Sequence, residues 1–342
     1  MTGMTLRGRG MRNILVYEPL SAGDPVCTEA LGPGSPAQRE MLAAGLAMRD
    51  AIVADLARIS GTRITVAVRE QEARHADWPV HVRTVTALPE EDAVDLVRRQ
   101  ATSHELCWVV APECDGLLLR LAQAVGPQRW IGCSAEAIRV AGSKSATCAA
   151  LQRAGIATPL AFAQGHRGAW IVKPDDGAGC TETRWHPSRA AAEADLRQRA
   201  WAGQEALAQP FVPGEPLSIS LVVGPDLARP LAFNRQRLAR ANDGRLHDLG
   251  VQVAAVAPGD PRVPALRALA LKVAAAIPGL RGFVGIDLVW KEREGPVVIE
   301  VNPRVTCAYV GLSALLRRNV AAEILGTHAP EAARWVASSG WA

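Results

Sequence analysis

The chain has 342 residues, 49% apolar and 21% charged, with 38 basic against 34 acidic side chains. That balance fits a soluble globular protein with more than one core and excludes disorder as its main character. Three of the basic groups, Arg7, Arg9 and Arg12, lie in the first dozen residues, so little basic field is left for nucleic acid. A local basic pocket for an anion stays compatible with these numbers.

The seven cysteines are scattered, odd in number and never spaced C-x-x-C, and the seven histidines show no metal-ligand spacing. Neither a disulfide framework nor a zinc site is expected, and a reducing, cytoplasmic location fits. Residues 1–12 read as a flexible leader without the apolar stretch of a signal peptide. No run of about 18 apolar residues occurs, so no membrane span is expected.

In chain order, Ile14–Tyr17 is an apolar run suited to a buried parallel strand, and residues 37–60 repeat apolar side chains at helical spacing. Ile64–Val68 and Leu106–Val110 read as further strands, Leu117–Val125 as a helix and Trp130-Ile131 as a short strand. This alternation predicts a small doubly wound α/β layer over residues 13–134. A dinucleotide site in it is excluded, because Glu18-Pro19-Leu20 follows the first strand where a glycine fingerprint would be needed.

After about residue 135 the pattern changes. A helix carrying Lys144 ends at Gly155 to Pro159, and strands then dominate: 170–173, 206–211, 217–223, 231–238, 283–290 and 297–302. Helices are expected at about 188–200, 262–277 and 311–325. The result is an α+β arrangement built on antiparallel sheet.

The chemistry concentrates in the hairpin formed by 285–290 and 297–302. Alternation puts Val297, Ile299 and Val301 on one face and Val298, Glu300 and Asn302 on the other. Pairing symmetric about the charged turn Lys291 to Pro296 sets Asp287 opposite Glu300. Two facing carboxylates repel, and a divalent cation would turn that repulsion into ligation, with Asn302 adding a carbonyl. Pro303-Arg304 follows at once, which places a guanidinium beside the acidic pair. Upstream, a buried strand ends in Lys173 and enters Pro174-Asp175-Asp176-Gly177-Ala178-Gly179-Cys180, whose glycines allow backbone N–H groups to turn toward an anion.

Lys144, Lys173 with its glycine loop, Phe211-Val212-Pro213-Gly214-Glu215, Asp287 and Glu300-Val301-Asn302-Pro303-Arg304 together resemble the ATP-grasp superfamily, in that order, over about residues 105–325. The resemblance implies an ATP-grasp fold over 135–330, with a lid subdomain at about 160–212 and a catalytic subdomain at about 213–330. A Rossmann-like α/β domain would precede it, and 331–342 would be a tail. It further implies ATP and two Mg²⁺ ions (Mn²⁺ as an alternative), the metals held by Asp287, Glu300 and Asn302. Lys144 and Lys173 would contact the phosphates, and Gly177, Ala178 and Gly179 would close over them. Gln209, Pro210, Phe211 and Val212 would hold the adenine and Glu215 the ribose. Arg304, with Lys173, would be catalytic, stabilising an acyl phosphate and the tetrahedral intermediate formed when an amine attacks it. Many relatives carry glutamate at the position of Gln209 and place the ribose acid where this chain has Pro216. Cys180 and Cys307 flank the site and are read as small residues, not nucleophiles.

Within that superfamily, Leu15 to Glu18, Gly45 to Arg49, Asn234-Arg235-Gln236 and Asn302 to Thr306 running on to Tyr309–Leu312 resemble tyramine–glutamate ligase-like enzymes. Glutamate would be the activated carboxylate and an aromatic amine the acceptor, in the making of a one-carbon carrier cofactor of the methanofuran, methylofuran or tetrahydromethanopterin type. At least one of Asn234, Arg235 and Gln236 would line the substrate, with Thr306 and Tyr309 near the acceptor. Partners would be small molecules, not nucleic acid or membrane, with a homodimer or a partner protein of the pathway left open. The competing readings are another ATP-grasp ligase and a nucleotide-binding subunit without catalysis.

Overall fold

A computed structural model describes residues 12–73, 78–79, 81–177 and 179–328. Most of the leader 1–12, the tail 331–342 and Ala178 therefore lie outside the described residues. The first layer is a five-stranded parallel sheet of β1 (Arg12–Tyr17), β2 (Thr62–Ala67), β3 (Val82–Val85), β4 (Leu106–Val109) and β5 (Trp130–Ile131), in the order β3-β2-β1-β4-β5. Its strands are nearly continuous apolar runs, as a sheet covered on both faces requires. Ile14 and Val16 point to one core with the long helix Pro36–Ala57, and Leu15 and Tyr17 to the other.

Eight strands follow among the described residues. β6 (Trp170–Pro174), β7 (Arg184–His186) and β8 (Ala206–Pro210) form a small antiparallel sheet in the order β7-β6-β8. β9 (Glu215–Gly224), β10 (Leu227–Arg240), β11 (Leu246–Gln252), β12 (Gly282–Lys291) and β13 (Gly295–Asn302) form a larger one in the order β11-β10-β9-β12-β13.

The larger sheet decides where chemistry can sit. On one face Leu217, Ile219, Leu221, Val284, Ile286 and Leu288 pack beneath the helix Val263–Ala276, through its Leu266, Ala270 and Val273. Each such side chain contributes about 1.5–3 kcal/mol by leaving water. On the opposite face Val222 and Phe283 meet the helix Val320–His328 at one end. Further along the same face the pairs become Ser220–Gly285 and Ser218–Asp287.

Several elements depart from the expected ones. β3, β7, β11 and the helix Ala93–Ala101 are additional. The helix expected over 311–325 is two helices, Leu312–Leu316 and Val320–His328. Arg317 adopts φ +51 and ends the first, and the Asn319 side chain accepts from Ala322 N–H (3.0 Å) to begin the second.

Candidate active site

Asp287 does pair with Glu300, but the hairpin is not symmetric. Lys291 pairs with Gly295 and Leu288 with Val298, a register that would set Asp287 against Ile299. A bulge at Ile299 moves Glu300 into that place. The bulge also corrects the expected alternation: Val298 joins Val301 in the core, away from Glu300 and Asn302. Gly285 faces Asn302, and a Cβ there would lie 2.9 Å from Thr306 Cγ2, so the site has room only for glycine.

The two carboxylates end a polar row that crosses four strands: Asn234, Ser218, Asp287 and Glu300 are successive neighbours on β10, β9, β12 and β13. Asn234, fully buried, donates to the Ser218 and Ser220 hydroxyls (3.2 and 3.1 Å), and its carbonyl accepts from Ala254 N–H (3.0 Å). Its polar atoms are thus used inside the protein, whereas Arg235 is exposed and pairs with Glu215. Asn302 donates to Asp287 Oδ2 (3.1 Å). Burial, then the facing Glu300 charge, pushes the Asp287 carboxyl up to about 7. The protein itself supplies too little positive charge at this point for both acids to ionise comfortably.

Two lysines approach from the other side. On β6, Trp170 and Val172 turn toward the helix Arg189–Trp201, so Ile171 and Lys173 turn the opposite way, with Gln209 across from Ile171. Lys173 is 4% exposed, and its ammonium donates to the bulged Ile299 carbonyl (3.3 Å). Burial lowers its pKa; Glu300 opposes that and Lys144 adds to it. Lys144 opens the helix Lys144–Arg153, its Nζ donating to Gly177 O (3.1 Å) and lying 3.8 Å from Glu300 Oε2.

Asp175 fixes the glycine loop to that helix start by accepting from Ser143 Oγ (2.6 Å) and Ser145 N–H (2.8 Å). Gly177 and Gly179 have φ of +113 and +68, conformations that L side chains rarely adopt. Cys180 follows, and burial, then Asp248, Glu300 and Asp287, pushes its thiol up to about 12. A protonated thiol of this kind is a poor nucleophile.

The remaining expected residues are less uniform. Gln209 is 3% exposed, and its Oε1 is buried without a hydrogen-bond partner. Phe211 N–H donates to Ala169 O (2.8 Å), and because Pro210 and Pro213 lack an N–H, Val212 holds the segment's other amide. Glu215 accepts from Arg235 (2.7 Å) and from Arg262; burial opposes these bonds, yet they hold its carboxyl below the ordinary range. Tyr309, expected near the acceptor, is 1% exposed and donates to Asp55 Oδ2 (2.7 Å), so it belongs to the core.

Two residues in this neighbourhood were not among those expected. Glu113, just beyond β4, accepts from Arg304 Nε (2.9 Å) and Nη2 (3.0 Å). It stands outside the carboxyl end of a strand next to β1, where the order of a doubly wound sheet reverses, and that position is the signal that could have found it. Asp248 on β11 is close enough for its charge to act on Asp287 and Cys180. Among the described residues no group of three or more His, Cys, Asp or Glu gathers at metal-binding spacing, so the oxygen set here is two carboxylates and one amide.

Comparison with known proteins fits this geometry. Residues 141–308 match the ATP-grasp domain model and residues 63–138 the pre ATP-grasp 3 domain model. Among curated proteins the chain is 31% identical over 206 residues to the tyramine–L-glutamate ligase of Methanocaldococcus jannaschii, covering 60% of this chain and 57% of that one. To the enzyme of the same name from Methanocaldococcus fervens it is 28% identical over 220 residues, 64% of each chain. It thus spans less than two thirds of the length of either relative. Among solved structures, an ATP-grasp superfamily protein from Archaeoglobus fulgidus superposes with a TM-score of 0.65 at 21% identity, over 92% of this chain and 88% of the other. In this chain a pre-ATP-grasp domain is followed by an ATP-grasp domain, and the facing carboxylates and paired lysines lie inside the second.

Proposed function

We propose that this protein is an ATP-dependent carboxylate–amine ligase. A substrate carboxylate attacks the γ-phosphorus of ATP and ADP leaves. An amine nitrogen then attacks the acyl carbon, the bond to phosphate breaks with its electron pair, and the nitrogen loses a proton to give the amide. Both steps accumulate negative charge, and the residues suited to that are Lys144, Lys173 and Arg304.

The observation that carries this reading is the facing pair Asp287–Glu300 with Lys144 and Lys173 converging on it. Asp287, held up to about 7, is a carboxyl short of positive charge, and Lys173 is a buried ammonium beside a carbonyl, with no anion bonded to it among the described residues. A divalent cation and a phosphate chain are complementary to those two deficits. Asp287, Glu300 and Asn302 would hold Mg²⁺, which supplies charge neutralisation of the phosphates when bound. Gln209 Oε1, a buried acceptor without a donor, suits the amino group of adenine. The arginines flanking Glu215 weaken its assignment to ribose, because both of its oxygens are already engaged.

For the substrates, the names of the two curated relatives support glutamate as the activated acid and tyramine or a similar aromatic amine as acceptor; formation of a one-carbon carrier cofactor is what the resemblance implies. A nucleotide-binding subunit without catalysis is disfavoured, because Asp287, Glu300 and Asn302 are all present. The test is ADP formation with ATP, Mg²⁺ and L-glutamate, with and without tyramine or tyrosine. Amine-dependent ADP and an amide product are expected. No turnover with any carboxylate–amine pair from a broad panel would overturn the ligase reading.

A further inference from the structure

We propose that Glu113 is a positioning residue for Arg304, so that the parallel-sheet layer contributes to the amide-forming step; the inference rests on the ligase reading. Glu113 lies just after β4, and Arg304 two residues after the end of β13. Their side chains are 5% and 10% exposed and meet through two parallel bonds of 2.9 and 3.0 Å. A guanidinium has five N–H donors in one plane. Two go to Glu113, and a third, on Nη1, goes to Val305 O (3.2 Å). Two are left, one on Nη1 and one on Nη2, and the bidentate grip on the Nε edge fixes the direction in which they point.

A buried ion pair is an inefficient way to join two layers, since removing both charges from water offsets most of their attraction. It is an effective way to hold a planar fork in one orientation. The adjoining residues point the same way. Asp115 N–H donates to Asp176 Oδ2 (2.7 Å), and a Cβ on Gly177 would lie 3.8 Å from Cys114 Sγ. Glu113 thus touches Arg304, and Asp115, two residues on, touches the glycine loop. Glutamine at position 113 keeps the shape but cannot accept both bonds, because its amide nitrogen would face an N–H.

The experiment compares the full chain with Glu113→Gln, Glu113→Asp, Arg304→Lys and the double variant Glu113→Gln/Arg304→Lys, using ATP, Mg²⁺, L-glutamate and tyramine. Glu113→Gln should lower kcat about 10- to 100-fold while KM for ATP stays within about twofold, as misplacement of a catalytic group does. Glu113→Asp should be intermediate. The double variant should be no slower than Arg304→Lys alone, within about twofold, whereas a merely structural role would multiply the two losses.

A readout independent of turnover is the ¹⁵Nε–H resonance of Arg304, identified by its absence in Arg304→Lys. It should be sharp and slow to exchange in the wild type and be lost in Glu113→Gln, or, where that variant does not fold, broadened in Glu113→Asp. An unchanged resonance, a wild-type kcat in Glu113→Gln or multiplicative losses would overturn the proposal. A wild type inactive with every carboxylate–amine pair would instead overturn the ligase reading, and the resonance would still decide the role of Glu113.

Discussion

Asp287 faces Glu300 across β12 and β13 because Ile299 is bulged out of the ladder, and the carbonyl of that bulged residue accepts from Lys173 at 3.3 Å. One irregularity thus sets two carboxylates together and draws a buried ammonium alongside them. Such an arrangement favours ligand binding over the stability of the free protein.

Removing one member of the pair separates those two effects. Asp287→Asn removes a carboxyl that burial, and then the facing Glu300 charge, hold up to about 7. A gain on the order of 1 kcal/mol corresponds to a rise in Tm of about 2–4 °C for a domain of this size. Amide formation should fall by at least about 100-fold in the same variant, because an amide is a weak cation ligand. Calorimetric melting above pH 7 without nucleotide, paired with turnover, checks both. A lower Tm would show that the pair stabilises the free fold and that this account of its strain is wrong.

Gly177→Val addresses the phosphate loop. The φ of +113 is strained for any residue with a Cβ, yet the loop is only partly buried. The expected result is a loss of about 10-fold or more in kcat/KM for ATP, with Tm shifted by no more than about 2 °C. A large drop in Tm with unchanged ATP kinetics would assign the glycine to folding instead.

Acid sensitivity should trace in part to His328. Its Nε2 accepts from Gly132 N–H (2.9 Å), and its Nδ1 lies 3.0 Å from Ile324 O, which fits the neutral ring protonated on Nδ1. Burial lowers its pKa below 6.5; the backbone bonds oppose that, and Arg281 adds to the lowering. The unfolded chain therefore binds a proton near pH 6.5 that the folded chain refuses. This contribution to stability is present above pH 6.5 and is lost as pH falls below it, with a slope of at most about 1.4 kcal/mol per pH unit. Denaturation midpoints from pH 8 to 5 should decline more steeply for the wild type than for His328→Gln. Parallel curves would remove His328 as the cause.

How much was legible in the sequence depended on the range of the forces involved. Strands with an uninterrupted apolar run, such as Ile14 to Tyr17, or with apolar residues at every second place, such as Leu217 to Leu221, were readable, and the helix Leu117–Val125 was legible to its ends. β7 and β11 were not, because Arg184-Trp185-His186 and Leu246-His247-Asp248-Leu249-Gly250 lack a clear period; each is held by pairing with the strand before it. The helix Ala93–Ala101 did carry signals, with Asp92 as cap and Leu96 and Val97 on the buried side, and it was overlooked. Arg317, which splits the last helical stretch, is no glycine, and nothing local announces its left-handed backbone.

The candidate site divides in the same way. Asp287, Glu300, Asn302 and Arg304 lie in or just after one hairpin, so their nearness was legible although their exact pairing rests on a bulge. Glu113 and Asp248 arrive from other elements and needed the fold. Alternation also misplaced Val298, since a bulge is invisible to a strict period of two.

Calorimetric titration of ATP, with Mg²⁺ and with EDTA, into the wild type and Glu300→Gln tests the central claim most directly. The account predicts saturable binding with Mg²⁺, affinity lower by about 100-fold or more in Glu300→Gln, and an unaltered melting profile for that variant. Equal affinity in EDTA, or identical isotherms for the two proteins, would contradict the assignment of the Asp287–Glu300 face to a metal-bound triphosphate.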